Sequence, residues 1–209
     1  MITPKILELE RQLNKVFPDF RTEKTLMLLP PLDRVLRGIW FDRSAYDEIS
    51  FSVIAFVIPL CVETDHLYFN YSESVRHNSG GDRWRIDMPD LLNALTEALR
   101  NSALPLLSRG ATLDGFIEIA RSGPQTGRNL EGLGYALARA GKTEEAISVL
   151  NQLASELNPS IIWQLELSKK VREFITILME HPDDAELQLA MTEEKTIHNL
   201  GLEKFRLTP

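Results

Sequence analysis

The sequence is poor in the features that mark secreted and membrane-spanning proteins. A single cysteine, Cys61, occurs in 209 residues, so no internal disulfide can form and the chain fits a reducing, cytoplasmic compartment. The N-terminus shows no apolar stretch that would predict a secretion signal. The most apolar run, residues 51–62, contains a proline and is shorter than the ~20 residues of a membrane-spanning helix. We therefore expect no membrane association.

The charge balance shows no basic excess. Lys and Arg number 23 against 30 Asp and Glu, which gives a formal net charge of −7. Binding to nucleic acid through phosphate neutralisation requires a basic surface, so the composition argues against a nucleic-acid partner. The contents of 44% hydrophobic and 25% charged residues are ordinary for a folded globular protein.

The first half of the chain carries the signal for a β-sheet. Runs of β-branched and aromatic residues predict strands at residues 25–29, 34–41, 49–59 and 66–72, with a short fifth strand at 84–87. The connections are too short for parallel crossovers, so an antiparallel sheet of about four to five strands is expected. Flanking helices are predicted as well. The first opens with Thr3 as N-cap and Pro4 at the first helical position, and the second begins after Asp87 as N-cap and ends at Pro105.

The second half predicts helices only. No strand signal occurs from Thr112 onward, so we place a domain boundary between an α+β domain, residues 1–108, and an all-helical domain, residues 109–209. Helices are expected at 112–121, 161–180 and 183–200. The expected core residues of the 161–180 helix are Ile161, Leu165, Val171, Phe174, Ile175 and Leu178.

One stretch of the helical half has the pattern of two helices joined by a glycine turn. The residues that define it are Leu133, Gly134, Gly141, Ala146 and Leu150, followed by Pro159. Gly134 and Ala146 would allow two antiparallel helices to approach closely, and Gly141 can adopt the left-handed conformation that ends the first helix. Over about residues 127–160 the pattern resembles a tetratricopeptide repeat. The resemblance implies a helix pair that needs neighbouring helices to bury its faces.

The N-terminal half has a second, less informative resemblance. Over residues 51–70 and 80–84 it is similar to uncharacterised bacterial proteins of unknown function. This resemblance implies no established activity, so it leaves the function of the α+β domain open.

A polar loop of the first half is the candidate ligand-binding site. Its functional residues are Arg76, His77, Arg83, Trp84 and Arg85. Arginine forks bind phosphate and a tryptophan can stack on a base, so the loop could hold an anion or a nucleotide. The alternative is a plain connection, in which Gly80 and Gly81 form the turn and the arginines pair with Asp82, Asp87 or Asp90.

The sequence gives little support to catalysis. It contains no phosphate-binding glycine motif, no nucleophile elbow and no metal-ligand spacing, so we predict no catalytic residue, metal or cofactor. His66 beside Asp65 could form an oriented base, or merely a turn. The three tryptophans, Trp40, Trp84 and Trp163, are predicted core anchors.

Two functions remain. The favoured prediction is a non-enzymatic protein-interaction module that binds another protein, with a bacterial immunity-type or adaptor protein as one form. The alternative is an α+β domain, with or without catalysis, that binds a small ligand or phosphate through residues 76–85.

Overall fold

The structure, a computed structural model, describes residues 4–43, 47 and 49–206. The predicted N-cap Thr3 lies outside these residues. Two compact units are present. The first is drawn from Met1–Ile58, Ser72–Ala111 and Lys204–Pro209, and the second from Pro59–Tyr71 and Thr112–Glu203. The change at Ala111 lies three residues beyond the predicted boundary at 108. The inclusion of Pro59–Tyr71 in the second unit has no counterpart in the predicted division.

The first unit is built on an antiparallel sheet with helices. Its elements are α1 (Pro4–Val16), β1 (Arg21–Glu23), β2 (Leu26–Leu28), β3 (Val35–Arg43), β4 (Ser50–Pro59), β5 (Ser72–Ser74), β6 (Arg83–Arg85), α2 (Leu91–Ala98) and α3 (Leu104–Arg109). The strand order is β1-β2-β3-β4-β5, and β6 also pairs with β4. Every pair whose register is described is antiparallel. The predicted α+β class is confirmed.

Strand β4 is the centre of the sheet, as its apolar sequence predicts. Phe51 and Val53 are fully buried and alternate with half-buried neighbours, whereas residues 56–59 are buried throughout. A strand that is buried on both faces is typical of the interior of a sheet. β4 pairs with β3, β5 and β6, so the burial and the pairing agree.

The predicted start of α2 is wrong. The helix begins at Leu91, and Asp90 at φ 53° is its N-cap residue. Asp87 instead accepts hydrogen bonds from Arg85. The Asp87 carboxylate forms a charge-assisted pair with the Arg85 guanidinium. The side chain that was predicted to cap the helix is therefore engaged elsewhere.

Pro105 does not end the helical segment that it was expected to end. A π-helical turn, Leu99–Ala103, joins α2 to α3, and Pro105 lies in the first turn of α3. Proline is tolerated there because first-turn N–H groups have no partner within their own helix. The irregular turn therefore allows the chain to remain helical through Arg109.

The second unit consists of stacked helices. Its helices are α4 (Leu113–Ser122), α5 (Gly127–Arg139), α6 (Thr143–Glu156), α7 (Ile162–Glu180) and α8 (Pro182–Asn199). A short 3₁₀ turn, Glu203–Phe205, follows α8 in the chain, and its last two residues belong to the first unit. Each of α4 to α7 contacts the next helix along the chain, and α5 also contacts α8. The predicted all-helical region is confirmed. None of the described helices has both the length and the apolar composition of a membrane span.

Helices α5 and α6 approach closely at the residues that the sequence pattern marked. A Cβ atom on Gly134 would lie 2.5 Å from Cδ2 of Leu150, so no side chain fits there without a shift. Ala146 is fully buried. Gly141 has φ 73° and supplies the left-handed residue that follows the end of α5.

The core of α7 is confirmed in its second half and wrong in its first. Four of the expected core residues are buried, namely Val171, Phe174, Ile175 and Leu178. Ile161 and Leu165 are 39% and 37% exposed. The apolar side chains near the start of α7 fall at almost consecutive positions and point around the helix, so one neighbouring helix cannot cover them all.

The strand predicted at residues 66–72 is wrong, because most of this stretch is irregular and β5 covers only Ser72–Ser74. Tyr71 at the end of the stretch is buried against helices of the second unit. Tyr71 packs edge-on against Phe116 with ring centroids 4.7 Å apart. Its hydroxyl donates to the carbonyl oxygen of Asn129 at 2.8 Å. Aromatic residues favour strands only where a pleated neighbour supplies their packing.

Candidate functional site

The loop predicted to bind a ligand lies in the first unit. Trp84 in β6 is fully buried, and its Nε1 donates to the carbonyl oxygen of Val75 at 2.8 Å. This indole is a core anchor, as predicted, and presents no face on which a base could stack. The Arg85 guanidinium donates two hydrogen bonds, of 3.0 and 2.9 Å, to the Asp87 carboxylate, so it is already paired with an anion of the chain.

The remaining loop residues form a tight turn. The backbone N–H of His77 donates to Gly81 at 3.0 Å, and that of Gly80 donates to His77 at 2.8 Å. The His77 ring packs edge-on against Trp84 with centroids 5.6 Å apart. Arg76 and Arg83 are exposed, and neither lines the two cavities described below. Binding of an anion by this loop stays a prediction.

A larger concavity lies within the second unit, and we call it the helical groove. It is a cavity of about 770 Å³. Its lining comes from four parts of the unit: the irregular segment 61–65, helix α5 with Arg128, Glu131 and Tyr135, helix α7 between Trp163 and Ile177, and helix α8 between Gln188 and Asn199. An adjoining pocket of about 350 Å³ shares residues 62–65, Arg128 and Glu131 and adds His66, Tyr68 and Asn70.

The segment Pro59–Tyr71 is fixed to α8 by polar contacts. The Thr196 hydroxyl donates to the carbonyl oxygen of Val62 at 3.2 Å, and both residues are buried. Lys195 lies 2.7 Å from Glu63. A buried backbone carbonyl needs a donor, and α8 provides one. The irregular segment is therefore an ordered wall of the groove.

The same segment is fixed to the start of α5. Asn70 donates its amide hydrogen to the side-chain oxygen of Asn129 at 3.1 Å. The amide of Asn129 in turn donates to the carbonyl oxygen of Pro124 at 2.9 Å. With the bond from Tyr71 to the Asn129 carbonyl, Asn129 connects the segment, α5 and the turn that precedes α5.

An ion pair and the half-buried Tyr135 lie along α5. Arg128 donates to Glu131 at 2.6 Å, and the Glu131 side chain is 8% exposed. Burial raises the pKa of Tyr135 well above its usual range, and the negative charge of Glu131 adds to the rise. The hydroxyl groups of Tyr71 and Tyr135 stay protonated for the same two reasons, so they act only as neutral hydrogen-bonding groups.

Helix α7 supplies aromatic and charged side chains to the groove. Trp163 is 53% exposed, and its predicted role as a core anchor is wrong. Phe174 packs on Tyr135 with ring centroids 4.9 Å apart. Exposed Glu166 and Glu173 lie on the same side of the helix. The wall therefore combines apolar rings with carboxylates.

A buried ion pair fixes α5 to α8. Arg139 Nε and Nη2 lie 3.0 and 3.2 Å from the two carboxylate oxygens of Glu193. The two side chains are 10% and 8% exposed. A fork of this kind has strict geometry. The distance between two of the helices that line the groove is thereby fixed.

The pair of Asp65 and His66 lies where the two cavities meet. Its atoms Asp65 Oδ1 and His66 Nδ1 are 2.7 Å apart, and the side chains are 82% and 75% exposed. The hydrogen bond to His66 lowers the pKa of Asp65. The geometry is that of an exposed turn, which is the second of the two interpretations that the sequence left open.

Sequence reasoning missed the groove. Its members are spread over the segment 61–65 and helices α5, α7 and α8, and no local motif joins them. One signal was present: Trp163, Glu166 and Lys170 follow one another at spacings of three and four residues, which places an aromatic and two charged side chains on one helix face. An aromatic ring among charges is atypical of a buried helix face.

No family model, curated protein or solved structure matches the chain. We therefore infer its function from the groove and from its own residues.

Proposed function

We propose that the chain is a non-enzymatic protein-interaction module and that a segment of a partner protein binds in the helical groove. The observation that carries the proposal is the groove itself. Half-exposed Trp163 lies in its wall, half-buried Tyr135 packs on buried Phe174 in its lining, and charged side chains surround them. Aromatic anchors surrounded by polar side chains are typical of protein interfaces.

The dimensions of the groove suit a peptide segment. Its α7 wall extends from Trp163 to Ile177, a length of about 21 Å at 1.5 Å per residue. An extended chain rises about 3.3 Å per residue, so roughly six residues of a partner would lie along this wall. The cavity of about 770 Å³ lies within the range of pockets that bury most of a ligand.

The packing of α5 against α6 supports a tetratricopeptide-like helix pair. Gly134 contacts Leu150 without room for a side chain, and Gly141 supplies the left-handed turn. We propose an immunity-type or adaptor role in the cytoplasm for such a module. Cys61 is buried, and the chain has no second cysteine with which it could form a disulfide, which is compatible with a reducing compartment.

Capture from a bacterial extract with matched variants tests the proposal. The bait proteins are the unmodified chain, Trp163→Ala in the groove, and Leu187→Ala, which truncates an apolar side chain that is 60% exposed and outside the groove lining. We expect at least one protein to be retained by the unmodified chain and by Leu187→Ala, and to be lost from Trp163→Ala. Loss of an aromatic anchor typically weakens binding by 2 kcal/mol or more, about 30-fold.

Two results would contradict the proposal. Proteins retained equally by all three baits would bind elsewhere on the chain. Retention of a partner by Trp163→Ala but not by a variant of the loop, Arg83→Ala with Arg85→Ala, would move the interaction to the first unit.

A further inference from the structure

We infer that the partner segment is basic, and that the helical groove selects a peptide with two Lys or Arg residues three positions apart beside an apolar side chain. The inference rests on the proposed function of the groove. It adds the chemistry of the partner, which the shape of the groove does not give.

The lining of the groove carries more acidic than basic side chains. Among the described residues, the groove lining holds five carboxylates and two cationic side chains. The carboxylates are Glu63, Asp65, Glu131, Glu166 and Glu173, and the cations are Arg128 and Lys170. Charges of one sign along a concave surface raise the local concentration of ligands with the opposite sign. A basic segment is therefore favoured over an acidic one.

Only some of the carboxylates in the lining have a partner within the described residues. Glu131 lies 2.6 Å from Arg128, Glu63 lies 2.7 Å from Lys195, and Asp65 lies 2.7 Å from the His66 ring. Within residues 4–43, 47 and 49–206, Glu166 and Glu173 take part in no ion pair. Both are exposed on α7, so their charge is available to a ligand at little desolvation cost.

The spacing of Glu166 and Glu173 along α7 sets the spacing expected between the basic residues of the peptide. Glu166 and Glu173 are seven residues apart, so they lie about 10 Å apart along the helix axis. A peptide in the polyproline II conformation makes one turn in three residues and rises about 9 Å, so its side chains at positions i and i+3 lie on one side at about the same distance. Basic side chains at peptide positions i and i+3 would meet both carboxylates. Lys170 lies between them and disfavours a third basic residue opposite it.

Trp163 provides an apolar contact surface in the groove. Trp163 lies three residues, or nearly one turn, before Glu166 and is 53% exposed. The face of an indole can bind an aliphatic side chain, and next to a carboxylate it can also bind the stem and charge of a Lys or Arg. The end of the groove at Trp163 is therefore the place for the apolar residue of the peptide.

Selection from a library tests the inference without knowledge of the partner. Random displayed peptides of about 12 residues, twice the length of the α7 wall, are selected against the unmodified chain. Parallel selections use the charge-reversal pair Glu166→Lys with Glu173→Lys. The matched control is Glu118→Lys with Glu180→Lys, which changes the net charge equally at exposed positions outside the groove lining.

We expect enriched peptides to carry an excess of Lys and Arg with a spacing of three. Individual peptides should bind the Glu166→Lys, Glu173→Lys variant at least about tenfold more weakly and the control pair within about twofold, because charge contacts govern their association. Raising NaCl to about 0.5 M should weaken binding to the unmodified chain, since screening then acts within ~5 Å. The pair Glu166→Gln with Glu173→Gln gives the same test without new positive charges.

The outcomes distinguish the inference from the function on which it rests. Enriched peptides that are neutral or acidic, yet bind the Trp163→Ala variant weakly, would overturn the basic partner and leave the groove as the binding site. Enriched peptides that bind the charge-reversal pair as well as the control pair would also overturn it. Enrichment that is insensitive to Trp163→Ala, or no enrichment at all, would overturn the proposed function together with the inference.

Discussion

The Tyr71 hydroxyl donates a hydrogen bond of 2.8 Å to the backbone carbonyl oxygen of Asn129, and this contact joins the end of the segment Pro59–Tyr71 to the start of α5. The neighbouring Gly132 leaves room for the phenol, because a Cβ atom there would overlap the Tyr71 hydroxyl oxygen. One hydroxyl and one missing side chain thus fix a wall of the groove.

Removal of that hydroxyl should loosen the segment. We expect Tyr71→Phe to lower the free energy of unfolding by about 1–2 kcal/mol, because the buried hydrogen bond from Tyr71 to the Asn129 carbonyl oxygen is lost. Urea unfolding followed by circular dichroism measures the change. Tyr68→Phe is a matched control, since Tyr68 lines the adjoining pocket and its hydroxyl has no hydrogen-bond partner within the described part of the chain. Equal losses for both variants would show that the bond to Asn129 contributes nothing specific.

The close approach of α5 and α6 should make Gly134 intolerant of a side chain. In an open helical position Gly→Ala stabilises by up to about 1 kcal/mol. At Gly134 the new methyl group would lie 2.5 Å from Leu150 Cδ2, so we expect Gly134→Ala to destabilise by about 1–3 kcal/mol through overpacking.

The partner residue provides the control for this prediction. Leu150→Ala alone should cost about 2–5 kcal/mol, because Leu150 is fully buried. The two changes together should cost less than the sum of the single changes, since the new methyl group fills part of the cavity. Strict additivity of the two losses would contradict the close contact.

Buried Glu10 should make the stability depend on pH. It is 1% exposed, and neither of its carboxylate oxygens has a hydrogen-bond partner within the described residues. Burial raises its pKa to about 7, an effect that the charge of Arg43 partly opposes. The folded state therefore binds this proton more tightly than the unfolded chain does. The stabilisation is present below pH ~4.5 and is lost as the pH rises to about 7.

The variant Glu10→Gln removes this dependence. We expect the free energy of unfolding of the unmodified chain, relative to that of Glu10→Gln, to fall by roughly 3 kcal/mol between pH 4.5 and 8. Thermal and urea unfolding over this range measure the difference. Parallel stability curves for the two proteins would show that Glu10 does not titrate between these pH values.

The loop at residues 76–85 should respond weakly to phosphate. Arg85 is held by Asp87, and Trp84 is buried. We expect about 10 mM phosphate to raise the melting temperature by less than about 1 °C, which corresponds to a dissociation constant above that concentration. A larger rise that Arg83→Ala with Arg85→Ala abolishes would contradict this expectation and favour the alternative function of the first unit.

The class of each half follows from local patterns in its sequence. Continuous apolar residues identified β4 as the central strand, and glycines at 134 and 141 marked the helix pair, because both signals arise from neighbours along the chain. The short strand β1 escaped notice, since Arg21–Glu23 has no apolar residue and owes its conformation to pairing with β2. The roles of Asp87 and Pro105 were predicted wrongly for a similar reason. Each residue type occurs in two structural roles, and contacts with neighbouring elements determine which role it has.

The position of the candidate site depends on how distant elements pack together. The aromatic residues of 66–71 predict a strand, yet burial of Tyr71 against Phe116 and its bond to Asn129 hold them in an irregular wall. The groove draws its carboxylates and rings from separate helices. A sequence records which side chains share a helix face, because that depends on a spacing of a few residues. Which faces meet depends on the packing of elements that are distant along the chain, and this packing placed Trp163 in a groove instead of a core.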